Sequence, residues 1–334
     1  MATKKQGGAK KVGVLFGMEN TFPPALVARI NELNGKEVVA DFVSVGGIRM
    51  ASPSGYRVII DRISHDIPFY RAYLKNAALN GAIVINNPFW WSADDKFFNY
   101  AMASQVGVAI PNTILLPHKQ HPPDTTERSM RNLMFPLNWD EIFDYIGFPA
   151  FLKPFSGGGW KHVYKVNSRD DFFKYYDGTG DLCMTLQTAI DFQEYFRCYV
   201  VGQEKVHVMA YDPRRPHDER YLQNPPATDP KLLKRVVNDA LTLCRALGYD
   251  LNTVEFAVQD GIPYAIDFLN PAPDADYHSV GAENFAWIVN AVADFAIAKA
   301  LSKEDAVKEY RWSGFLHGAA GGKRSAPRAV PAAH

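Results

Sequence analysis

What most constrains this chain is the alternation of short apolar runs with helical periods between Val12 and Asn86. Val12 to Phe16 (VGVLF), Val38 to Val43, Arg57 to Arg62 (RVIIDR) and Ala82 to Asn86 (AIVIN) read as strands. Ala25 to Leu33 and Pro68 to Asn80 carry helical spacing between them. Strands that alternate with helices bury both faces of a parallel sheet, so this region is expected to be an α/β doubly wound unit. Gly13 and Gly17 stand too far apart for a GxGxxG fingerprint and read only as a turn, without a dinucleotide at the first strand.

Beyond Asn86 the pattern changes to mixed α+β. Ala93 to Val106 reads as a helix ending at Gly107, followed by a strand at Asn112 to Leu116 and an exposed Pro/His-rich loop from Pro117 to Thr126. A short helix, Asp140 to Ile146, stops at Gly147. Strands at Ala150 to Pro154 and Val163 to Val166 then flank the glycine-rich segment Phe155 to His162. A helix over Ser168 to Tyr175 and a strand over Met184 to Ile190 follow. Tyr195 to Val201 and Lys205 to Tyr211 form an antiparallel pair turned at Gly202-Gln203. Pro230 to Leu247 has a core-facing helical period. Thr253 to Val258 and Tyr264 to Leu269 form a hairpin across Asp260-Gly261, a dipeptide suited to a tight two-residue turn. Glu283 to Leu301 closes the chain as a long helix.

At 334 residues the chain exceeds what one core usually supports. The expected division is a flexible basic tail (1–11), an N-terminal Rossmann-like subdomain (12–92), a central subdomain with a glycine-rich lid (93–185), a C-terminal subdomain (186–316) and a disordered tail (317–334). The last segment holds almost no bulky apolar side chain with which to offset its ordering entropy. Lys+Arg and Asp+Glu are 36 each, so no global field favours nucleic acid or an anionic membrane, and any phosphate binding must be local. No apolar run approaching about 20 residues is read, so no membrane span is expected. Three cysteines without metal-ligand spacing, and no apolar leader, point to reduced thiols and a cytoplasmic location.

Two places carry chemistry. Gly157, Gly158 and Gly159 sit between two strands, where backbone N–H groups can converge on an anion. A flexible turn would read the same way, and the GK[ST] ending of a Walker loop is absent. Lys153, four residues upstream in the apolar strand AFLKP, adds weight, because an ammonium there is costly without an anionic partner such as a phosphate. In the C-terminal hairpin, Glu255 (TVEFAV) and Asp267 (YAIDFLN) interrupt apolar strands, with Asn270 just beyond. An oxygen-only set of this kind suits Mg²⁺ shared with phosphates. The alternative is that each acid pairs with an arginine or faces solvent.

In this order the features resemble the ATP-grasp superfamily, in particular its glutathione synthetase-like and ribosomal-protein-modifying ligases, over roughly Arg57 to Leu301. The resemblance implies two α+β subdomains sandwiching ATP, next to the N-terminal doubly wound unit. It implies that Lys96, after Asp95, and Lys153 hold the α- and β-phosphates, with Ser156, Gly157, Gly158 and Gly159 as the lid. Gln187, Thr188 and Ile190 would offer groups to the adenine, and Glu194 would also serve the nucleotide. Arg197 and Lys153 would be catalytic, and Glu255, Asp267 and Asn270 would hold one or two Mg²⁺. The implied activity is a carboxylate–amine ligase working through an acyl phosphate on small carboxylate and amine substrates, amino acids or peptides among them. No nucleic-acid or membrane partner is implied, and a homodimer is left open. The alternatives are a small-molecule kinase on the same scaffold, with Arg214, Arg215 and Arg220 as its basic groups, or a nucleotide-binding regulator without turnover.

Two departures from the pattern bear on the site. The family spaces its acid and Asn by one residue, whereas two separate Asp267 from Asn270. A bulge at Phe268-Leu269 would restore the aim of Asn270. Tyr211 stands where many relatives carry a basic residue. His162, His278, Lys161, Tyr277 and Ser279 fall on neighbouring loops, and Trp90 and Trp91 read as packing between subdomains.

Overall fold

The structure, a computed structural model, describes residues 8–89, 95–268, 270 and 272–304. The first unit contains β1 (Lys10–Leu15), α1 (Phe22–Asn34), β2 (Val38–Phe42), β3 (Val58–Asp61), α2 (Pro68–Leu79) and β4 (Ile83–Ile85). Its strands run parallel in the order β2-β1-β3-β4. Alternate residues serve opposite faces: Val12, Val14, Val58 and Ile60 meet Phe22, Leu26 and Ile30 of α1, while Leu15 and Ile59 meet Tyr73, Leu74 and Ala77 of α2. Each such fully buried aliphatic side chain contributes roughly 1.5–3 kcal/mol. The doubly wound expectation therefore holds.

Two details of that expectation need correction. Lys10 and Lys11, read as flexible tail, pair with Val38 and Val39 in β1, because the ladder extends to a 2.8 Å hydrogen bond from Lys10 N–H to the Glu37 carbonyl. Gly13 is a strand residue instead of part of a turn, and a Cβ there would come within 2.6–2.9 Å of the Val43 and Tyr56 side chains.

α3 (Lys96–Gln105) leads to the second unit: β5 (Thr113–Leu116), α4 (Trp139–Ile146), β6 (Ala150–Pro154), β7 (Tyr164–Val166), α5 (Arg169–Tyr176) and β8 (Met184–Thr188). These strands form an antiparallel sheet, β5-β8-β6-β7. Trp139 and Phe143 of α4 stack on each other and meet Phe172 and Tyr176 of α5 in tilted and edge-to-face contacts over one face. The opposite face, with Phe151, Lys153 and Gln187, is left for the third unit.

That third unit has β9 (Glu194–Val201), β10 (Lys205–Ala210), α6 (Pro230–Leu247), β11 (Leu251–Gln259) and β12 (Ile262–Asp267) in the antiparallel order β10-β9-β11-β12. Asp229 caps α6, Pro230 opens it, and Gly248 ends it at φ +71°. Its Val236, Ala240 and Leu243 pack on Phe196, Val200, Val254 and Phe256. Asp260 and Gly261 both have positive φ, the geometry a tight hairpin turn demands.

α7 (Tyr277–Val280) and α8 (Ala282–Leu301) end the described chain. α8 lies in one apolar cluster with Val12 and Val14 of β1 and with Tyr199, Val201 and Leu251 of the C-terminal sheet, and so joins the first unit to the third. By length and composition this helix could cross a bilayer, contrary to the sequence reading. Ile288, Val292, Ala293, Ala296 and Ala300 are buried between the sheets, which accounts for its apolarity as that of a core helix.

Subdomain boundaries also move. α3, read as the start of the central subdomain, packs Tyr100 and Ala103 into the core of the C-terminal unit, with the Tyr100 ring 5.6 Å from Phe268. Leu186, Gln187 and Thr188 belong to β8, the first two pairing with both β5 and β6 and Thr188 with β6, so the break falls after Thr188. Trp90, Trp91 and the 317–334 tail lie outside the described residues.

Candidate functional site

Sheet register builds the acidic part of the site. Across the adjacent strands β9, β11 and β12, Arg197 faces Glu255 and Glu255 faces Asp267. The three side chains lie at one level of one sheet face. Between Glu255 and Phe256 the register shifts: Glu255 pairs with Asp267 and Phe256 with Ala265, so Ile266 is the extra residue. The bulge thus sits just before Asp267, whereas it was expected at Phe268-Leu269; Leu269 lies outside the described residues. Asn252 fixes the path that follows by donating to the Phe268 carbonyl at 2.7 Å and accepting the Asn270 N–H at 2.9 Å.

Glu255 is held by two groups. The Tyr195 hydroxyl donates to one of its oxygens at 2.6 Å, and Arg197 Nε is 3.4 Å from the other. Burial pushes the Glu255 carboxyl above its ordinary value, and Arg197 opposes that shift. One half of the alternative reading, an acid paired with an arginine, is therefore met. Arg197 also donates to the Tyr221 hydroxyl at 2.8 Å, and Tyr221 donates in turn to Asp274 at 3.4 Å.

The two lysines arrive from different elements. Asp95 caps α3 by accepting the Phe98 N–H, and the backbone N–H of Lys96 donates to the Phe155 carbonyl just past β6, which ties the two lysine-bearing segments together. Lys96 Nζ is 3.2 and 3.4 Å from the two Asp267 oxygens. Lys153 points out of the central sheet and donates to the Tyr100 hydroxyl at 2.7 Å and to Gln187 Oε1 at 2.8 Å. Burial, reinforced by the nearby Lys96 charge, lowers the Lys153 ammonium to about 7. Burial alone would raise Asp267, but the charges of Lys96 and Lys153 outweigh it and hold this carboxyl below its usual value. The Asp267 side chain remains 48% exposed, so its oxygens can be reached from the cleft.

The remaining expected residues divide. Gln187 is buried, 2% exposed, with its amide engaged by Lys153 and the Thr113 hydroxyl, so its side chain serves the lysine. The Thr188 hydroxyl donates to the Ile146 carbonyl inside the central subdomain. Ile190 packs against the core around α8. Glu194 pairs with Val258 in the ladder, on the α6 side of the sheet opposite Arg197, and accepts from the Thr228 hydroxyl at 2.8 Å. The side chains of Thr188, Ile190 and Glu194 are thus not gathered with the lysine–acid cluster, whereas Gln187 joins it through Lys153.

Ser156 to Gly159 form an exposed crossing between β6 and β7, with φ of +81° at Gly157 and +71° at Gly159. Trp160 and His162 also have positive φ. The Arg220 guanidinium approaches the Trp160 ring at 6.0 Å, so this loop faces the C-terminal unit. Arg214 is held bidentately by Asp212 at 2.8 and 3.0 Å, so a polyanion there would compete with that carboxylate. Sequence reasoning missed Tyr100, Tyr195, Tyr221 and Asp274, which hold the charged groups. Tyrosines in apolar runs carry no signal that separates such a role from ordinary packing.

Oxygen donors from Glu255, Asp267 and Asn270 suit a hard divalent cation by their chemistry. Among the described residues no group of three or more His, Cys, Asp or Glu could hold a metal by itself, so water or phosphate oxygens would complete the shell.

Comparison of the sequence with family models and with curated proteins finds no match. Solved structures do match. An ATP-grasp RimK-domain protein from Sphaerobacter thermophilus DSM 20745 superposes with a TM-score of 0.61 at 16% identity, covering 86% of this chain and 99% of that one. The D-alanine–D-alanine ligase of Bacillus anthracis complexed with ATP gives 0.60 at 16% identity, covering 88% and 99%. The ATP-grasp ligase PsnB complexed with a minimal precursor gives 0.61 at 12% identity, covering 86% and 98%. With one parallel and two antiparallel four-stranded sheets in the same arrangement over most of its length, this chain has the ATP-grasp fold.

Proposed function

We propose that the protein is an ATP- and magnesium-dependent carboxylate–amine ligase that forms an amide through an acyl phosphate. The observation that carries this reading is the meeting of Lys96 from α3, Lys153 from β6 and the Glu255–Asp267 pair of β11 and β12 in one cleft between two antiparallel sheets. Two cations beside two acids make a site for phosphates and a divalent cation together. Solved proteins of this fold include one complexed with ATP and one with Mg and ADP, which supports the reading.

Phosphoryl transfer asks the protein mainly for positioning and charge neutralisation. Lys96 and Lys153 neutralise the α- and β-phosphates, and the Ser156–Gly159 loop closes over them to exclude water. Glu255, Asp267 and Asn270 would hold magnesium, which would supply positive charge to the phosphate oxygens. Arg197, fixed by Glu255 and Tyr221, faces the transferred phosphoryl group. It then steadies the oxyanion that forms when the amine attacks the acyl phosphate. In the acyl phosphate the carboxylate oxygen carries the γ-phosphoryl group; the amine nitrogen bonds to the acyl carbon, phosphate leaves, and the amine loses a proton.

The test is calorimetric titration with ATP and Mg²⁺, followed by assay of phosphate release over a panel of acid and amine pairs. Binding of ATP with amine-dependent phosphate release is expected. Absence of ATP binding overturns the reading, and transfer of phosphate to a hydroxyl without phosphate release replaces it with the kinase.

A further inference from the structure

We infer that Lys96 and Arg197 keep the two metal carboxylates neutralised in the nucleotide-free protein, so that a divalent cation enters the site only together with nucleotide. The inference rests on the nucleotide-site reading above and adds an order of assembly to it.

Both carboxylates already have cations of the chain as partners. Lys96 Nζ bridges the two oxygens of Asp267 at 3.2 and 3.4 Å, and its side chain is only 11% exposed. Arg197 Nε stands 3.4 Å from one oxygen of Glu255, and the Tyr195 hydroxyl occupies the other at 2.6 Å. A divalent cation arriving alone meets carboxylates whose charge is spent, with an ammonium and a guanidinium beside them that repel it. Mg²⁺ is held through one or two carboxylates with water and phosphate oxygens filling the rest of its shell, so here it depends on the two acids that Lys96 and Arg197 already occupy.

Lys153 is placed differently. Its ammonium donates to two neutral groups, the Tyr100 hydroxyl and the Gln187 amide oxygen, and to no carboxylate. A phosphate therefore has one cation in the cleft that it need not take from an acid. Once phosphates are seated at Lys153, Lys96 has a second anionic partner close by and turns from Asp267 toward it. That movement frees both Asp267 oxygens at the moment when phosphate oxygens complete the metal shell. Lys96 thus acts as a placeholder for the metal as well as a phosphate ligand. By linkage, whatever factor the nucleotide adds to metal affinity, the metal adds to nucleotide affinity.

The test uses Mn²⁺ as the metal, read by electron paramagnetic resonance of the bound ion, and the non-hydrolysable nucleotide AMPPNP, with the full chain. For the unaltered protein, Mn²⁺ binding without nucleotide is expected to be weaker by about tenfold or more than with it, within the usual range of coupling between sites. Lys96→Met is expected to do the opposite of a simple loss. Its affinity for Mn²⁺ alone rises while its affinity for AMPPNP falls, and adding Asp267→Asn to it abolishes the gain. Lys96→Gln gives the same gain if the methionine variant does not fold, as judged by its thermal melt. Tight Mn²⁺ binding by the unaltered protein without nucleotide, or no gain in either folded Lys96 variant, overturns the inference. A failure of AMPPNP to bind with or without metal overturns the nucleotide-site reading instead, so the two failures are distinct.

Discussion

The acid cluster on β9, β11 and β12 and the glycine-rich crossing between β6 and β7 face the same cleft but are built in opposite ways. In the first, Arg197, Glu255 and Asp267 project from three hydrogen-bonded strands, and their positions follow from register, one bulge and the packing of α6 beneath. In the second, Gly157, Gly159, Trp160 and His162 adopt left-handed φ on an exposed segment, and Trp160 is 60% exposed. The strands hold their charges in place before any ligand arrives, at the expense of ion pairs that a ligand must rearrange. The loop has little to rearrange, its one ring contact with the C-terminal unit among the described residues being that of Trp160 with Arg220. If the proposed nucleotide site holds, preorganised charge and an adaptable cover serve the same anion in different ways.

This contrast can be broken most forcefully at the strands. Asp267→Asn should lower ATP turnover by about 10²–10³-fold, the range for removing one preorganised electrostatic group, and steady-state kinetics measure it. Phe256→Ala, in the core under the acid cluster, should cost about 3–5 kcal/mol by denaturant unfolding. Trp160→Ala on the loop should stay within about 0.5 kcal/mol.

Lys153 gives an intermediate effect and a pH signature. Lys153→Met should weaken ATP binding by about 2–5 kcal/mol, the range for truncating one partner of a close charge pair. Because the Lys153 ammonium is lowered to about 7 from its ordinary 10.5, it binds fewer protons folded than unfolded between those values. Stability contributed by this group therefore rises with pH across that window, and the penalty is fully present below about 7. Urea titrations at several pH values should show the rise, and Lys153→Met should flatten it. ATP phosphates favour the charged ammonium, so binding at about pH 8 should take up a proton, read from calorimetry in buffers of different ionisation enthalpy. A small effect belongs to the loop backbone: Gly159→Ala, at φ +71° with no neighbour to clash, should destabilise by about 1 kcal/mol from backbone strain alone.

Much of the frame was legible because periodicity is local. The four apolar runs up to Asn86, the Asp260-Gly261 turn and the Pro230-to-Gly248 limits of α6 each rest on neighbouring residues, and each appears in the fold. Lys153 and Asp267 were legible for a related reason, since a charge inside an apolar strand states its own need for a partner. Subdomain boundaries were not legible. α3 looks like any amphipathic helix, and only the meeting of Tyr100 with Phe268, far along the chain, assigns it to the C-terminal core. The bulge at Ile266 was not foreseen; it precedes Asp267 and sets how that acid meets Glu255, while the one expected at Phe268-Leu269, between Asp267 and Asn270, includes a residue outside the described ones.

From the sequence by itself came the element types, the parallel first sheet, the hairpin that carries the acids and the identity of the charged residues, all properties of neighbours within a few positions. Tertiary structure alone decided which cation sits on which anion: Lys96 on Asp267, Arg197 on Glu255, and Lys153 on two neutral groups. It also turned Glu194 and Thr188 away from the cluster and brought in Tyr195, Tyr221 and Asp274 as supports. Coulombic partnership depends on distances of a few ångströms between residues that are tens to hundreds of positions apart, and only the packed sheets set those distances.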